Sequence, residues 1–193
     1  MLFDTIRSQT EGIRAIDRFQ LLVMYDLLKG VVELPGDAVE LGVFRGGSAR
    51  MIASMLPEKM IHLYDTFEGM PDVRGDYDDG MYHGPGTFNC SLEDVQEYLK
   101  DLTNIEYHVG IFPDRGYPSF PICFAHCDAD LYQPTADFLM LVYPLLVPGG
   151  VLVVHDYKYI PTPGVTIACD EFFADKPEKL IVEAQCQAYV RKI

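Results

Sequence analysis

Short apolar runs alternate along this chain with segments in which apolar residues recur about every 3.6 positions. Five of the runs have the length of strands buried in a parallel sheet; they span residues 38–43, 60–65, 105–109, 122–128 and 151–156. Three periodic segments between them predict helices, at residues 47–56, 92–102 and 135–146. Strand and helix alternate, and crossovers between parallel strands are right-handed, so the pattern predicts a doubly wound α/β sheet with helices on both faces.

The two ends of the chain add further elements to this sheet. Residues 1–35 form a predicted N-terminal helical segment, periodic over 5–29 and broken at Gly30 and Pro35. Pro148–Gly149–Gly150 is predicted to end the helix before the last parallel strand. A helix at 165–173 and two weaker strands, at 179–182 and 187–191, follow. The short loop between these strands favours an antiparallel hairpin at the sheet edge, which brings the predicted sheet to seven strands.

Composition limits the classes of function. A chain of 193 residues with 49% apolar residues suits one domain with its own core. The five cysteines are scattered and odd in number, which favours free thiols and a reducing cytoplasm. A formal charge of −14 argues against nucleic acids and anionic membrane surfaces as partners. We find no apolar stretch of the roughly 18 residues that a membrane span requires.

A glycine-rich turn follows the first predicted strand and opens a helix. Glycines let the backbone approach a ligand, and the helix N-terminus offers unpaired amides to a phosphate or to the amino acid and ribose ends of S-adenosylmethionine. The spacing G-x-x-x-G-G differs from the dinucleotide and P-loop patterns. The predicted cofactor contacts are Glu40, Gly42, Phe44, Gly46, Gly47 and Ser48 on this turn, Asp65, Thr66 and Phe67 after the second strand, Gly110 after the third, and Asp128 after the fourth.

Asp65 ends the second strand, where an acidic side chain can accept hydrogen bonds from both ribose hydroxyls. The alternative is that Asp65 caps the turn that follows it. Glu40 is also ambiguous, because a charge inside a buried strand needs a partner, either a ligand ammonium group or a backbone donor.

Acidic groups and one histidine follow the fourth and fifth strands, whose carboxyl ends should meet at one crevice. Asp128, His155 and Asp156 are predicted metal ligands for Mg²⁺ or Mn²⁺, although an imidazole shifts the preference toward transition metals. A metal there would lower the pKa of a substrate hydroxyl, with a carboxylate taking the proton. Without a metal, Asp130 or His155 is the predicted catalytic base. The alternative is that one or two of these acids cap helices.

Residues 66–90 include a long glycine-rich loop with aromatic residues Tyr77, Tyr82 and Phe88. Long irregular loops in compact domains are usually functional or mobile, so we expect a lid insertion that covers the site. The acidic run Asp76, Asp78 and Asp79 lacks the later glutamate of a calcium loop and is predicted to be a solvated face.

At four blocks the chain resembles the macrocin O-methyltransferase family: VELGVFRGGSARMIA, LYDTFEGMP, DADLYQPT and YPLLVPGGVLVVHDY. The resemblance implies a class I methyltransferase fold, with S-adenosylmethionine held by Glu40, Gly42, Ser48 and Asp65. It also implies magnesium on Asp128 and an aspartate pair before tyrosine, with Asp130 as general base. His155 stands where the family has the first aspartate of that pair. A different metal, weaker metal binding and metal-free catalysis therefore all stay open.

These observations together predict an S-adenosylmethionine-dependent O-methyltransferase that acts on a small-molecule hydroxyl, such as one on a glycoside. The rival enzyme is a dinucleotide-dependent oxidoreductase, which the glycine spacing disfavours. A third hypothesis is a non-catalytic cofactor-binding or assembly subunit. The apolar N-terminal helix would also fit a homo-oligomer.

Overall fold

The computed structural model describes residues 2–13, 16–72, 75–78 and 83–193. Within these residues the chain forms six α-helices and seven strands in one sheet. The strands are β1 (Asp37–Leu41), β2 (Ile61–Asp65), β3 (Ile105–Val109), β4 (Ile122–Cys127), β5 (Leu146–His155), β6 (Ile181–Ala184) and β7 (Gln187–Arg191). The helices are α1 (Leu2–Thr10), α2 (Arg18–Lys29), α3 (Gly47–Met55), α4 (Leu92–Leu99), α5 (Tyr132–Val142) and α6 (Pro163–Phe173).

The sheet has the strand order β3-β2-β1-β4-β5-β7-β6. The first five strands pair in parallel, with β1 between β2 and β4, and β7 pairs antiparallel with both β5 and β6. This confirms the predicted mostly parallel sheet with a C-terminal antiparallel hairpin. Because the chain order reverses at β1 and β4, a crevice opens at the carboxyl ends of these strands.

Each face of the sheet has its own apolar core. Alternate residues of a strand point to opposite faces, so Ala38 and Phe124 belong to one core while Val39 and Ala125 belong to the other. Helices α1, α2 and α3 pack on the first face, and α5 and α6 on the second. Burial on both faces explains why the central strands are continuous apolar runs.

The predicted N-terminal helical segment is two helices. The chain leaves α1 after Thr10, and Gly12 has a φ of +77°, which a helix does not allow. Asp17 then begins α2 with a capping box: its carboxylate accepts from the Gln20 amide at 2.9 Å, and the Gln20 side chain accepts from the Asp17 amide at 2.8 Å. The prediction of one periodic segment missed this cap.

The prediction that Pro148–Gly149–Gly150 ends a helix is wrong. Helix α5 ends at Val142, and the three residues lie inside β5, where the pairing with β4 shifts register. The Gly149 amide donates to the Lys192 carbonyl, and the Lys192 amide donates to the Gly150 carbonyl, each at 2.8 Å. These contacts come from the far end of the chain and outweigh the local tendency of the three residues to form a turn.

The loop after β2 is anchored by a buried carboxylate. Asp78 is only 3% exposed and accepts from the Tyr132 amide at 3.0 Å, at the first residue of α5. The predicted solvated face is therefore wrong for Asp78, although Asp76 is exposed. Asp79 and Tyr82 lie outside the described residues.

None of the helices in the described ranges is long and apolar enough to cross a membrane.

We expect Gly164→Ala to weaken the contact between the Asp78 carboxylate and the Tyr132 amide. A Cβ at residue 164 would lie 2.1 Å from an Asp78 carboxylate oxygen and 2.7 Å from the Tyr132 nitrogen, so the contact between them must shift. Urea unfolding should show a free energy of unfolding lower by about 1 to 3 kcal/mol. Gly75→Ala is the matched control, because a Cβ there meets no described atom within 4 Å. Equal stability of the two variants would contradict the anchoring role of Asp78.

Candidate active site

A cleft of about 380 Å³ opens at the carboxyl ends of the central strands. Residues from the turn after β1 and the ends of β2, β4 and β5 meet on its walls. Those predicted from sequence that line it are Gly42, Phe44, Asp65, Thr66, Gly110, Asp128, Asp130, His155 and Asp156. The structure therefore brings the glycine turn and the acidic cluster to one rim of the sheet.

The turn after β1 lies directly against the end of β4. Gly42 has a φ of +85°, and a Cβ on it would stand 1.9 Å from the Asp128 carbonyl oxygen, so only glycine fits. The Asp128 amide donates to the Leu41 carbonyl at 2.8 Å, and the Gly42 amide donates to the Tyr64 carbonyl at 3.0 Å. The start of the glycine turn is thus fixed to both neighbouring strands.

Asp65 holds the other side of this turn. One carboxylate oxygen accepts from the Val43 amide at 2.7 Å and the Phe44 amide at 3.0 Å, and the other accepts from the Phe67 amide at 2.9 Å. From the sequence, the alternative was that Asp65 caps the following turn. The bond to the Phe67 amide shows that capping is part of its role. Asp65 also faces the cleft, where its contact with a ribose stays a prediction.

Asp128, His155 and Asp156 form a compact ligand set at the floor of the cleft. The His155 Nδ1 atom lies 3.1 Å from an Asp128 carboxylate oxygen and 3.0 Å from an Asp156 oxygen. Neither contact is aligned as a hydrogen bond, and both ring nitrogens of His155 are buried without such a partner among the described residues. Two carboxylate oxygens and one imidazole nitrogen that close together can hold a divalent cation.

Burial and the neighbouring charges shift the pKa values of His155, Asp128 and Asp130. Burial favours the neutral imidazole, but the carboxylates of Asp128 and Asp156 outweigh it and hold the pKa of His155 well above its ordinary value. Burial would likewise raise the pKa of Asp128, yet the adjacent His155 brings it below the usual range. Burial and the carboxylates of Asp128 and Asp156 together raise the pKa of Asp130 well above normal.

Two residues of this cluster have backbone conformations that non-glycine residues rarely adopt. Asp130 has a φ of +62° and Asp156 has a φ of +64°. Each follows the end of a strand and lines the cleft. Such conformations cost free energy and concentrate at functional sites.

Five predicted cofactor contacts do not line the cleft. They are Glu40, Gly46, Gly47, Ser48 and Phe67. Gly47 and Ser48 instead border a small cavity of about 20 Å³, which Gly42, Phe44 and Asp128 also line.

Glu40 lies behind the cleft with a protein partner. Its carboxylate is 2.8 Å from the His126 Nδ1 atom, and both side chains are fully buried. Burial raises the pKa of Glu40, while His126 and the Ser48 hydroxyl oppose that rise. The partner that this buried charge requires is thus a histidine of β4, which sequence reasoning did not consider.

The loop after β2 covers part of the cleft. Phe88 packs edge-on against Phe44 at 5.6 Å between ring centroids, and His83 packs on Phe88 at 4.7 Å. Hydrogen bonds between Met70 and residues 86–87 close the base of this loop. The lid insertion expected from the sequence stays a prediction.

Sequence reasoning missed the wall of the cleft that α2 and the C-terminal hairpin supply. Its residues are Asp17, Gln20, Gln185 and Cys186. The Gln20 side chain donates to the Gln185 carbonyl at 2.7 Å and so joins the two elements. The capping box of Asp17 and Gln20 was readable from the sequence, but its place beside the cleft depends on the tertiary fold.

A family model described as macrocin-O-methyltransferase (TylF) matches residues 12–184. Among curated proteins, the chain is 32% identical to 8-demethyl-8-(2,3-dimethoxy-alpha-L-rhamnosyl)-tetracenomycin-C 4'-O-methyltransferase of Streptomyces olivaceus, over 76% of this chain and 61% of that protein. It is 30% identical to demethyldecarbamoylnovobiocin O-methyltransferase of Streptomyces niveus, over 66% of this chain and 55% of that protein. The chain therefore spans about three fifths of the length of these relatives.

Solved structures share the fold. The O-methyltransferase NovP superposes with a TM-score of 0.81 at 28% identity, covering 93% of this chain and 82% of that chain. The calicheamicin methyltransferase CalS11 has a TM-score of 0.70 at 22% identity, covering 98% and 90%. The sheet is thus that of class I methyltransferases, as predicted.

Asp65→Asn should weaken the glycine turn even without a ligand. The neutral amide side chain has one acceptor oxygen in place of two. All three amides, of Val43, Phe44 and Phe67, therefore lose a charged acceptor, and at least one of them loses its acceptor altogether. The free energy of unfolding should fall by about 1 to 3 kcal/mol in urea titrations. Asp72→Asn, an exposed position in the same loop, is the control. Unchanged stability of Asp65→Asn would rule out the structural role.

Proposed function

Because the chain belongs to the macrocin O-methyltransferase family, we propose that it transfers the methyl group of S-adenosylmethionine to a hydroxyl oxygen of a small molecule. One observation carries the proposal. A glycine turn suited to the cofactor and a cluster of three carboxylates and a histidine share a single cleft. Methyl transfer requires the sulfonium, the methyl carbon and the acceptor oxygen to lie in line, and a common cleft can provide that alignment.

The cofactor is proposed to lie along the side formed by the turn after β1 and the ends of β2 and β3. Gly42 and Gly110 line this side of the cleft, and Asp65 offers its carboxylate to the ribose. Phe44 and Phe88 supply apolar surface beside this path. The carboxylates further along the cleft favour a positively charged sulfonium.

The acceptor is proposed to be a sugar hydroxyl on a natural product. The lining of the cleft also includes polar side chains from separate elements, such as Asp17 and Tyr159, and polar groups of this kind suit a ligand rich in hydroxyls. The printed name of the Streptomyces olivaceus relative describes methylation of a rhamnosyl group. We propose the same class of acceptor, a sugar hydroxyl, for this chain, without specifying the sugar.

Asp130 is proposed as the general base. It lines the cleft beside the ligand set, while Asp128 and Asp156 are both in contact with His155. Asp130 would take the proton of the acceptor hydroxyl as the oxygen attacks the methyl carbon. S-adenosylhomocysteine would leave after the carbon–sulfur bond breaks.

The ligand set also fits a divalent cation. Neighbouring ligand atoms in an octahedral site with bonds of about 2.1 Å lie about 3.0 Å apart, close to the 3.0 and 3.1 Å found at His155. We propose that Asp128, His155 and Asp156 hold a transition metal such as Mn²⁺ in preference to Mg²⁺, because one donor is an imidazole nitrogen. Such an ion supplies Lewis acidity toward the acceptor hydroxyl.

The family match favours methyl transfer over a dinucleotide-dependent oxidoreductase. A subunit that binds the cofactor without turnover is the other alternative. Methyl transfer by the wild-type protein separates it from an active enzyme.

We expect Asp130→Asn to abolish most methyl transfer and leave cofactor binding intact. Removal of a general base typically costs about 10²- to 10⁴-fold in rate. The assay follows labelled methyl groups from S-adenosylmethionine into a panel of glycosylated natural products, and calorimetry measures S-adenosylhomocysteine binding by both proteins.

Asp137→Asn changes a half-buried residue of α5 that does not line the cleft; it is the control for the substitution and should behave as wild type. Failure of the wild-type protein to bind S-adenosylhomocysteine at high micromolar concentration would contradict the proposed function. Undiminished turnover by Asp130→Asn would contradict only the assignment of the base.

We expect the residue at position 155 to determine whether Mn²⁺ or Mg²⁺ restores turnover at the lower concentration. After treatment with a chelator, the wild-type protein should regain turnover at a lower concentration of Mn²⁺ than of Mg²⁺. His155→Asp supplies an oxygen ligand and should narrow or reverse that difference. Full turnover by the chelator-treated protein with no added metal would show that catalysis does not require the ion.

A further inference from the structure

A second group of potential metal ligands lies on β2 and β3, away from the lining of the cleft. His62 of β2 pairs in register with Glu106 of β3, and Tyr64 pairs with His108. All four side chains therefore point to the same face of the sheet. We call His62, Glu106 and His108 the sheet-edge triad, because β3 is an outer strand.

The spacing within the triad matches the edges of a coordination polyhedron. The His62 Nδ1 atom lies 3.2 Å from the His108 Nε2 atom. Glu106 places one carboxylate oxygen 3.6 Å from the His62 nitrogen and the other 3.6 Å from the His108 nitrogen. In a tetrahedral zinc site with bonds of about 2.0 to 2.1 Å, neighbouring ligand atoms are about 3.3 Å apart. A small movement of the exposed glutamate would complete such a geometry.

Both imidazole rings are held in place by aromatic contacts. His62 stacks on Phe120 with 4.2 Å between ring centroids, and His108 stacks on Tyr64 at 4.2 Å with an interplanar angle of 8°. The two nitrogens that face each other are thereby oriented before any ligand binds. Pre-orientation lowers the entropic cost of binding.

A carboxylate lies on the far side of His62. The Asp37 side chain has one oxygen 3.7 Å from the His62 Nε2 atom, while its other oxygen accepts from the Met60 amide at 3.0 Å. Metal-bound histidines usually direct their second ring nitrogen toward a carboxylate or carbonyl in this way. The Nε2 atom is buried and otherwise without a hydrogen-bond partner among the described residues.

The triad is buried on one side and open to water on the other. The His62 side chain is only 8% exposed. The Glu106 side chain is 54% exposed, so the triad opens to solvent at its third ligand. A water molecule can therefore reach the fourth coordination position.

We propose that the sheet-edge triad is a binding site for a divalent transition metal of the zinc type, with His62, Glu106 and His108 as ligands and Asp37 orienting His62. Two imidazole nitrogens and one carboxylate select such an ion over Mg²⁺ or Ca²⁺, which prefer oxygen ligands. The ion would join β2 to the outer strand β3 and stabilise that side of the sheet.

The test is calorimetric titration of the metal-free protein with Zn²⁺, together with its melting temperature with and without the ion. Because the set in the cleft could also take zinc, the variants must separate the two sites. Glu106→Gln and His108→Gln change exposed or half-buried side chains and should keep the fold. In each variant, the zinc affinity of one of the two sites should fall by at least about tenfold. The rise in melting temperature on addition of zinc should also be smaller.

Two controls assign the lost site. Glu97→Gln, an exposed glutamate on α4, should bind zinc as the wild type does. Asp156→Asn should weaken zinc binding in the cleft. It should leave intact the zinc binding that Glu106→Gln weakens. If zinc binding and melting temperatures of the triad variants match the wild type, or if Asp156→Asn removes all zinc binding, the proposal is wrong and the histidines form only a hydrogen-bonded pair.

Discussion

The close approach of the Gly42 backbone to the Asp128 carbonyl is the constraint on which the site depends. A single added carbon at residue 42 would lie 1.9 Å from that oxygen. The contact joins the ends of β1 and β4, which lie side by side where the chain order of the sheet reverses. It therefore fixes the separation between the glycine turn, where we propose that the cofactor binds, and the acidic cluster. A transfer that needs three atoms in line gains from a separation set by backbone packing, because side-chain motion cannot alter it.

Buried ionisable side chains surround this contact, and removing them from water costs free energy. Glu40 and His126 pair beneath the glycine turn without exposure to water, and Asp128 and Asp156 contact His155 on the other side. Removing one partner of such a pair leaves an uncompensated charge in a medium that solvates it poorly. The polar groups at the ends of the central strands thus hold one another, while apolar packing on both faces provides the stability that offsets their desolvation.

The sequence was sufficient to predict what depends on local pattern. The order of strands and helices follows from the apolar runs, and the convergence of Gly42, Asp65 and Asp128 follows from the rule that ligands bind beyond the carboxyl ends of parallel strands. The features that could not be predicted from the sequence depend on contacts between distant residues. Gly149 lies in a strand because Lys192 bonds to it, and Asp78 is buried because α5 offers it an amide. Gln185 reaches the cleft only because the C-terminal hairpin packs beside α2.

His155 changes the balance of charge in the cleft as well as its ligands. An aspartate at this position would add a fourth carboxylate to Asp128, Asp130 and Asp156, and their mutual repulsion would make a bound cation close to obligatory. The imidazole removes that negative charge and can carry a positive one, so the cluster can hold together in the absence of an ion. In the proposed metal site, the same ring would give up its proton and serve as a nitrogen ligand. A histidine at 155 would then lower the cost of the metal-free state and shift the preferred metal, because a nitrogen base replaces an oxygen anion.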